Sequence, residues 1–271
     1  MYVLQRYSFL SLFLLNKSLK LVNIYIPLMN IIKLDAIDST NDYLKQLVRE
    51  KELENYTVVM AHEQTNGKGQ LGAKWISEPG KNLTMSVLIK DLPQDLITVF
   101  DINASVAVAI AKLLSSLELD NVFVKWPNDI MADEKKIAGV LIENILKPDG
   151  TFTAIVGVGL NVNQTIFKGL TDATSIKIFS GKTYESLEEL AILMVNLIDT
   201  YVTLATKSQH DIWELYNHVL FKKNISMPFI DSNDKRFIGE VKHVNKDGKL
   251  TLLQDDQELH FYEAKQIKML F

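Results

Sequence analysis

The chain has 271 residues, of which 47% are hydrophobic and 23% charged, so it is long and apolar enough for a globular protein and does not match a disordered or fibrous one. Its 29 Lys and Arg residues against 33 Asp and Glu residues give a net charge of −4, which disfavours a broad basic surface for a nucleic acid. The absence of Cys excludes thiol nucleophiles, disulfides and Cys-ligated metals, and fits a reducing cytoplasm.

A short apolar run at residues 9–15 has some features of a signal peptide. The run is ended by Asn16 and Lys17, and no small-residue cleavage site follows. It is also far shorter than the roughly 20 residues of a membrane-spanning helix. We therefore expect residues 1–28 to be an N-terminal extension without function, with translation starting at Met29. N-terminal sequencing of the native protein tests this expectation.

The hydrophobic pattern from residue 31 onward predicts an α+β fold in which a mixed sheet packs with helices. Runs of β-branched and apolar residues predict strands at residues 31–36, 57–62, 83–89, 122–126, 136–145 and 153–160. Apolar residues at helical spacing predict helices at residues 39–50, 95–117, 187–206 and 211–220. Short strands with polar turns then follow, so we predict a first domain over residues 29–221 and a small β-barrel over residues 222–271.

A glycine-rich segment, EQTNGKGQLGAKW at residues 63–75, lies between two predicted strands. A dinucleotide-binding fingerprint would lie between a strand and a helix, and the P-loop pattern is also absent. The glycines allow close approach of the backbone, so its amides, with Lys68 and Lys74, can surround an anionic ligand. The spacing alone leaves open a mobile hairpin loop without a ligand.

The segment VKWPNDI at residues 124–130 follows an apolar strand. Pro127 fixes the backbone there, and the Asn-Asp pair that follows predicts a turn that holds the carboxylate of Asp129 near Lys125. A plain strand-ending turn beside a buried Trp126 is the alternative.

Two further predicted strands contain residues that could face a ligand, namely a lysine in one and glycines in the other. In KKIAGVLIEN, strict alternation places Lys136 on one strand face with Ala138 and Val140, so Lys136 can point into a site while Lys135 is solvated. In VGVGLNVN, at residues 156–163, the glycines leave room for a ligand against the sheet, although tight packing alone would also explain them.

The order of these segments resembles that of biotin protein ligases, from about residue 31 to the C-terminus. The segments that carry the resemblance are DSTN, QTNGKGQLGAKW, KNLTMSV, VKWPND, KKIAGVLIE and VGVGLNVN. Residues 1–30 are too few for the DNA-binding domain of the repressor-type members, so the resemblance is to the catalytic-only class. It implies a class II aminoacyl-tRNA synthetase/biotin ligase-like catalytic domain and an SH3-like C-terminal domain.

The resemblance implies an enzyme that uses ATP to form biotinyl-5′-AMP and then transfers biotin to one lysine of a biotin carboxyl carrier protein domain of a carboxylase. Mg²⁺ is expected with ATP. We expect a cytoplasmic monomer or homodimer that binds neither nucleic acid nor membrane. A lipoate-protein ligase of the same fold is the alternative, although KWPND and KIAG favour biotin, and a non-enzymatic biotin-binding protein is a further one.

The resemblance also implies roles for individual residues. Those expected to take part in catalysis are Lys136, Lys68 and Asp129. Those expected to bind biotin are Ser39, Thr40, Asn41, Gln64, Gly67, Lys68, Gly69, Lys136, Gly157 and Gly159. Those expected to bind ATP are Lys68, Gln70, Trp75, Asn128, Lys136 and Asn161. No metal site made by protein ligands is expected, because the five His residues lack ligand spacing.

The glycine-rich segment departs from the family pattern, in which members often read GRGRRGR. Lys68 keeps one positive charge without the bidentate geometry of Arg, and Gln70 and Ala73 carry no charge. The loss of these positive charges is expected to affect how the loop becomes ordered around a bound adenylate.

Overall fold

A computed structural model of the protein describes residues 3–7 and 29–271. The predicted apolar run at residues 9–15 lies outside the described residues. An eight-stranded sheet, here called the main sheet, forms the central layer. Its strands are β1 (Val3–Tyr7), β2 (Met29–Ile37), β3 (Val58–Gln64), β4 (Leu83–Pro93), β5 (Val122–Lys125), β6 (Asp129–Ala132), β7 (Lys135–Leu146) and β8 (Thr151–Leu160).

The strand order across the main sheet is β1-β2-β3-β4-β8-β7-β6-β5. Strands β2 and β3 run parallel, and the other neighbouring pairs are antiparallel. The sheet is therefore mixed, which confirms the predicted α+β class. The prediction missed β6, because only the four residues Asp129–Ala132 separate the turn before it from the turn after it.

Helices cover both faces of the main sheet. The helices are α1 (Thr40–Glu50), α2 (Val99–Ser116), α3 (Ile176–Ser180), α4 (Leu187–Lys207) and α5 (Gln209–His218). Leu44 and Leu47 of α1 pack on Ile32 and Val59, whereas α2, α4 and α5 belong to the larger core on the other face. By length and composition α2 and α4 could each cross a membrane, but here they pack against one another.

Side-chain caps set where the helices begin. Ser39 caps α1 by accepting a hydrogen bond from the Asp42 backbone N–H, at the predicted start. Thr98 and Asp101 form a reciprocal capping box, so α2 begins at Val99 and not at residue 95.

A second, five-stranded antiparallel sheet, here called the small sheet, follows α5. It contains β9 (Ser226–Asp231), β10 (Arg236–Val244), β11 (Leu250–Gln254), β12 (Leu259–Tyr262) and β13 (Ile267–Met269), in the order β12-β11-β10-β9-β13. Its buried Phe229 and Leu252 are part of the same hydrophobic core as α2. The Trp126 indole also donates to the Gly248 carbonyl at 2.9 Å. The division into domains at residue 221 remains a prediction.

A β-bulge in β7 overturns the predicted strand faces. Met131 pairs with Lys136 and Ile130 with Ala138, so Ile137 is an extra residue in the ladder. Ile137 and Ala138 are both fully buried. The side chain of Lys136 therefore shares a face with Gly139, not with Ala138, because the bulge reverses the alternation between them.

Candidate active site

A cavity of about 670 Å³ opens where β4, β7 and β8 meet the N-terminus of α1. All the predicted site residues except Gly67 and Asn161 line it. The predicted residues that the fold brings together are Ser39, Thr40, Asn41, Gln64, Lys68, Gly69, Gln70, Trp75, Asn128, Asp129, Lys136, Gly157 and Gly159. A cavity of this size with convergent polar groups suits a small-molecule ligand.

Glycines of β7 and β8 form the floor of the cavity. Gly139 and Gly159 pair across the two strands, and the Trp75 ring lies over them. A Cβ atom at Gly159 would lie 2.3 Å from Trp75 Cε2, so only glycine permits this approach. Gly157 makes room in the same way for the Asn41 carboxamide, because a Cβ there would lie 2.5 Å from Asn41 Oδ1.

A buried hydrogen-bond network forms the polar end of the cavity. The Thr40 backbone N–H and hydroxyl donate to Gln64 Oε1 at 2.9 and 3.1 Å. The Ser86 hydroxyl lies 2.6 Å from Asn41 Oδ1 and 2.7 Å from Thr40 Oγ1. Asn41 Nδ2 donates to Glu143 Oε2 at 3.0 Å. The network fixes which donors and acceptors the α1 N-terminus presents to a ligand.

The sequence interpretation did not assign Ser86 or Glu143 to the site. Ser86 is a fully buried hydroxyl in the mostly apolar segment LTMSVLI, and that contrast was the signal for it. Glu143 reaches Asn41 from the distant strand β7, so no local pattern in the sequence indicates the contact.

Removing the Ser86 hydroxyl should destabilise the protein. In Ser86→Ala the Asn41 Oδ1 atom loses its donor while it remains buried, so the free energy of unfolding should fall by about 1–3 kcal/mol. Urea denaturation measures the change. Ser116→Ala, at the exposed end of α2, is the matched control and should change stability by no more than about 0.5 kcal/mol. Equal effects of the two substitutions would contradict the role given to Ser86.

The glycine loop (residues 65–75) closes one side of the cavity. Thr65 Oγ1 donates to Asp38 Oδ1 at 2.6 Å, which anchors the base of the loop beside α1. The Trp75 backbone N–H donates to the Gly67 carbonyl at 2.9 Å, and a Cβ at Gly67 would lie 2.4 Å from the Trp75 carbonyl oxygen. Gly67 therefore closes the loop on itself and does not line the cavity, where it had been predicted to contact biotin.

Two lysines of the site form ion pairs. Lys68 Nζ lies 2.6 Å from Asp42 Oδ2, and the hydrogen bond to that carboxylate raises the pKa of Lys68 above its ordinary value. Lys136 Nζ lies 2.6 Å from Asp129 Oδ1 and 5.7 Å from the centre of the Trp75 ring. The hairpin of β5 and β6 places Asp129 opposite Lys125, as predicted, and the ion-pair partner of Asp129 is Lys136.

The predicted nucleotide-contacting residues occupy different positions. Asn128 Nδ2 donates to the Val140 carbonyl at 2.5 Å and so fixes the turn before β6 against β7. Asn161 lies outside the cavity lining, where its Nδ2 donates to the Thr174 carbonyl at 2.9 Å. Within residues 29–271, Asn161 Oδ1 and Trp75 Nε1 are buried polar atoms without a hydrogen-bond partner. Of these two residues only Trp75 lines the cavity, so a ligand there can supply the missing partner of its Nε1.

A cluster of potential metal ligands lies away from the cavity. His210, Asp211 and Glu214 come within 4.8 Å of one another on the exposed start of α5. None of them lines the site, so the cluster adds nothing to its chemistry.

Part of the chain is similar in sequence to known proteins. Residues 34–163 match the sequence model of the Biotin/lipoate A/B protein ligase family. The chain is 36% identical over 129 residues to the bifunctional ligase/repressor BirA of Escherichia coli, covering 48% of this chain and 39% of BirA. It is 32% identical over 123 residues to a biotin–acetyl-CoA-carboxylase ligase of Mycobacterium tuberculosis, covering 44% of each protein. The chain thus spans about two fifths of the length of these curated relatives.

A solved structure shows the same fold over most of the chain. It is the biotin protein ligase from Aquifex aeolicus in complex with biotin and ATP, with a TM-score of 0.74, 24% identity, and coverage of 89% of this chain and 98% of that one. The comparison confirms the predicted fold class, and the matched family confirms the resemblance seen in the order of the motifs. Residues 34–163, which match the model of the Biotin/lipoate A/B protein ligase family, carry the glycine floor and both ion-paired lysines of the site.

Proposed function

We propose that the protein is an ATP-dependent biotin–protein ligase. It would first join the biotin carboxylate to AMP and then pass the biotinyl group to a lysine of a biotin carboxyl carrier protein domain. The observation that carries the proposal is that one cavity combines the buried polar network of α1 with the Lys136–Asp129 pair and the glycine loop. We place this reaction in the cytoplasm.

The first step brings together two anions. A carboxylate oxygen of biotin attacks the α-phosphorus of ATP, the bond from that phosphorus to the bridging oxygen breaks, and pyrophosphate leaves with the electron pair. Lys136 and Lys68 would neutralise charge as it grows on the phosphoryl oxygens. Mg²⁺ fits this site as a companion of ATP, because the phosphates would supply its ligands and Asp129 is the single carboxylate among the described lining residues.

The second step needs a neutral amine. The acceptor lysine attacks the acyl carbon of the adenylate, the bond from that carbon to the phosphate oxygen breaks, and AMP leaves. We assign to Asp129 the role of orienting the incoming amine or accepting its proton, and its position beside Lys136 supports this role.

The polar end of the cavity favours biotin over lipoate. The ureido group of biotin has two N–H donors and a carbonyl acceptor, which match the side chains of Ser39, Thr40, Asn41 and Gln64. The dithiolane ring of lipoate has no such groups, so the donors and acceptors that the network does not use would stay unpaired when the ring excluded water, at about 1–3 kcal/mol for each such group.

The decisive experiment tests biotin and lipoate separately as substrates of the protein. The protein is incubated with ATP, an apo carrier domain and either labelled biotin or labelled lipoate, and the mass of the acceptor is then measured. One biotinyl group on the carrier supports the proposal, and lipoylation would assign the alternative. Biotin binding without release of pyrophosphate would instead indicate a non-enzymatic binding protein.

Lys68→Ala should slow adenylate formation about tenfold, or about 1.4 kcal/mol. The loop would lose both its cation and its link to Asp42. Biotin-dependent pyrophosphate release measures the effect. Lys51→Ala, an exposed residue at the end of α1, is the control and should behave like the unmodified protein. An unchanged rate in Lys68→Ala would reject the role of Lys68.

A further inference from the structure

Charged side chains of α1 connect the glycine loop to β7. Asp42, in the first turn of α1, is the carboxylate that pairs with Lys68 of the loop at 2.6 Å. Its other oxygen, Oδ1, lies 3.8 Å from the ammonium group of Lys45, which follows one helical turn later. Lys45 Nζ in turn lies 2.6 Å from Glu143 Oε1 of β7. Asp42 is therefore shared between one lysine on the loop and one on its own helix.

The pair with Asp42 competes with the role of Lys68 in the reaction. Lys68 lines the active-site cavity, whereas Asp42 and Lys45 lie outside its lining. The hydrogen bond to Asp42 raises the pKa of Lys68 and holds its ammonium group towards α1. To neutralise a phosphoryl oxygen, this ammonium group must leave the carboxylate, and attraction to an unpaired carboxylate would oppose that movement.

We propose that Lys45 is a positioning residue that takes over the charge of Asp42 and so frees Lys68 for the phosphoryl group. This inference rests on the proposed function. An ammonium group has three N–H donors, so Lys45 can keep its bond to Glu143 and add a second one to Asp42. The 3.8 Å separation then shortens to a charged hydrogen bond of about 2.8 Å.

Removing the charge of Lys45 should leave Lys68 bound more tightly to Asp42. In Lys45→Met, which keeps most of the side-chain length, we expect biotin-dependent pyrophosphate release to slow about threefold, an effect typical of partly exposed ion pairs. Lys45→Arg keeps the charge and should behave like the unmodified protein. Arg49→Met is the matched control, because Arg49 is an exposed cation of the same helix outside the cavity lining.

A second substitution shows whether Lys45 acts through Asp42. In an Asp42→Asn background no carboxylate holds Lys68, so Lys45→Met should not slow pyrophosphate release any further. A purely structural role of Lys45 at Glu143 would slow release equally in both backgrounds and would overturn the proposal. Calorimetric affinity for biotin alone should stay unchanged in Lys45→Met, because Asn41 keeps its hydrogen bond to Glu143. A parallel loss of biotin affinity would likewise overturn the proposal.

Limited proteolysis separates this inference from the proposed function. Trypsin cleaves after lysine, so cleavage after Lys68 in the ligand-free protein reports how readily Lys68 leaves Asp42, without any turnover. This cleavage should slow about threefold in Lys45→Met, but Lys45→Met should leave it unchanged in an Asp42→Asn background. Equal cleavage of Lys45→Met and the unmodified protein would overturn the role of Lys45, even in an active ligase. Failure of the unmodified protein to release pyrophosphate with biotin would overturn the proposed function, and the trypsin comparison would still decide whether Lys45 competes for Asp42.

Discussion

Lys136→Ala should slow biotin-dependent pyrophosphate release by at least a hundredfold, which corresponds to about 2.7 kcal/mol of transition-state stabilisation. The ammonium group would contact the carboxylate and the phosphate where the new bond forms. Its removal also leaves Asp129 without its partner at 2.6 Å, which adds a negative charge beside two reacting anions. Both effects raise the barrier of the same step.

The neighbouring residue supplies the control for this experiment. Lys135 is an exposed lysine of the same strand, so Lys135→Ala makes the same change in charge and size outside the cavity. Lys135→Ala should retain the rate of the unmodified protein. The melting temperatures of both variants should stay within a few degrees of the unmodified protein, because neither side chain is part of the core. A normal rate in Lys136→Ala would remove the residue from the mechanism.

Gly157→Ala should weaken biotin binding about thirtyfold, or about 2 kcal/mol. The added methyl group would lie 2.5 Å from Asn41 Oδ1, so the Asn41 side chain must move. Movement breaks its hydrogen bonds to Ser86 and Glu143 and disorders the polar end of the cavity. Titration calorimetry with biotin measures the loss.

A double-mutant cycle tests the cause of that effect. Gly157→Ala should also lower the free energy of unfolding by about 1–3 kcal/mol, because buried partners of Asn41 lose their hydrogen bonds. In an Asn41→Ala background the colliding oxygen is absent, so the same substitution should cost little stability. The full cost in both backgrounds would show that the methyl group collides with something other than Asn41.

Local patterns in the sequence were enough to predict most of the fold. The strand that became β8 and the helix that became α2 were recognised because each is a long apolar segment, and the fold buries both on nearly all sides. The face of Lys136 was predicted wrongly because the bulge at Ile137 depends on the pairing of β7 with β6. Periodicity within one strand carries no information about the register of its neighbour.

The candidate site was also predicted only in part from the sequence. Its glycines and its polar α1 N-terminus lie in short recognisable segments, so they were predicted to lie together, and the fold brings Gly157 and Asn41 into contact. Glu143 and Lys268 were missed. Glu143 ends the segment KKIAGVLIE, but its contact with Asn41 depends on the fold, and Lys268, which also lines the cavity, lies in a short strand that carries no motif. Gly67 was assigned to biotin although its loop position requires glycine for a backbone contact.

The hydrogen bond from the Trp126 indole to the Gly248 carbonyl has a consequence for dissecting the protein. Trp126 precedes the turn that presents Asn128 and Asp129, and Gly248 lies in the hairpin between β10 and β11. A truncation after residue 221 would keep every catalytic side chain proposed for the first step. It would, however, remove the hydrogen bond that supports that turn, and it would remove Phe229 and Leu252 from the hydrophobic core. The two sheets therefore depend on each other structurally, and changes to one sheet would alter the other.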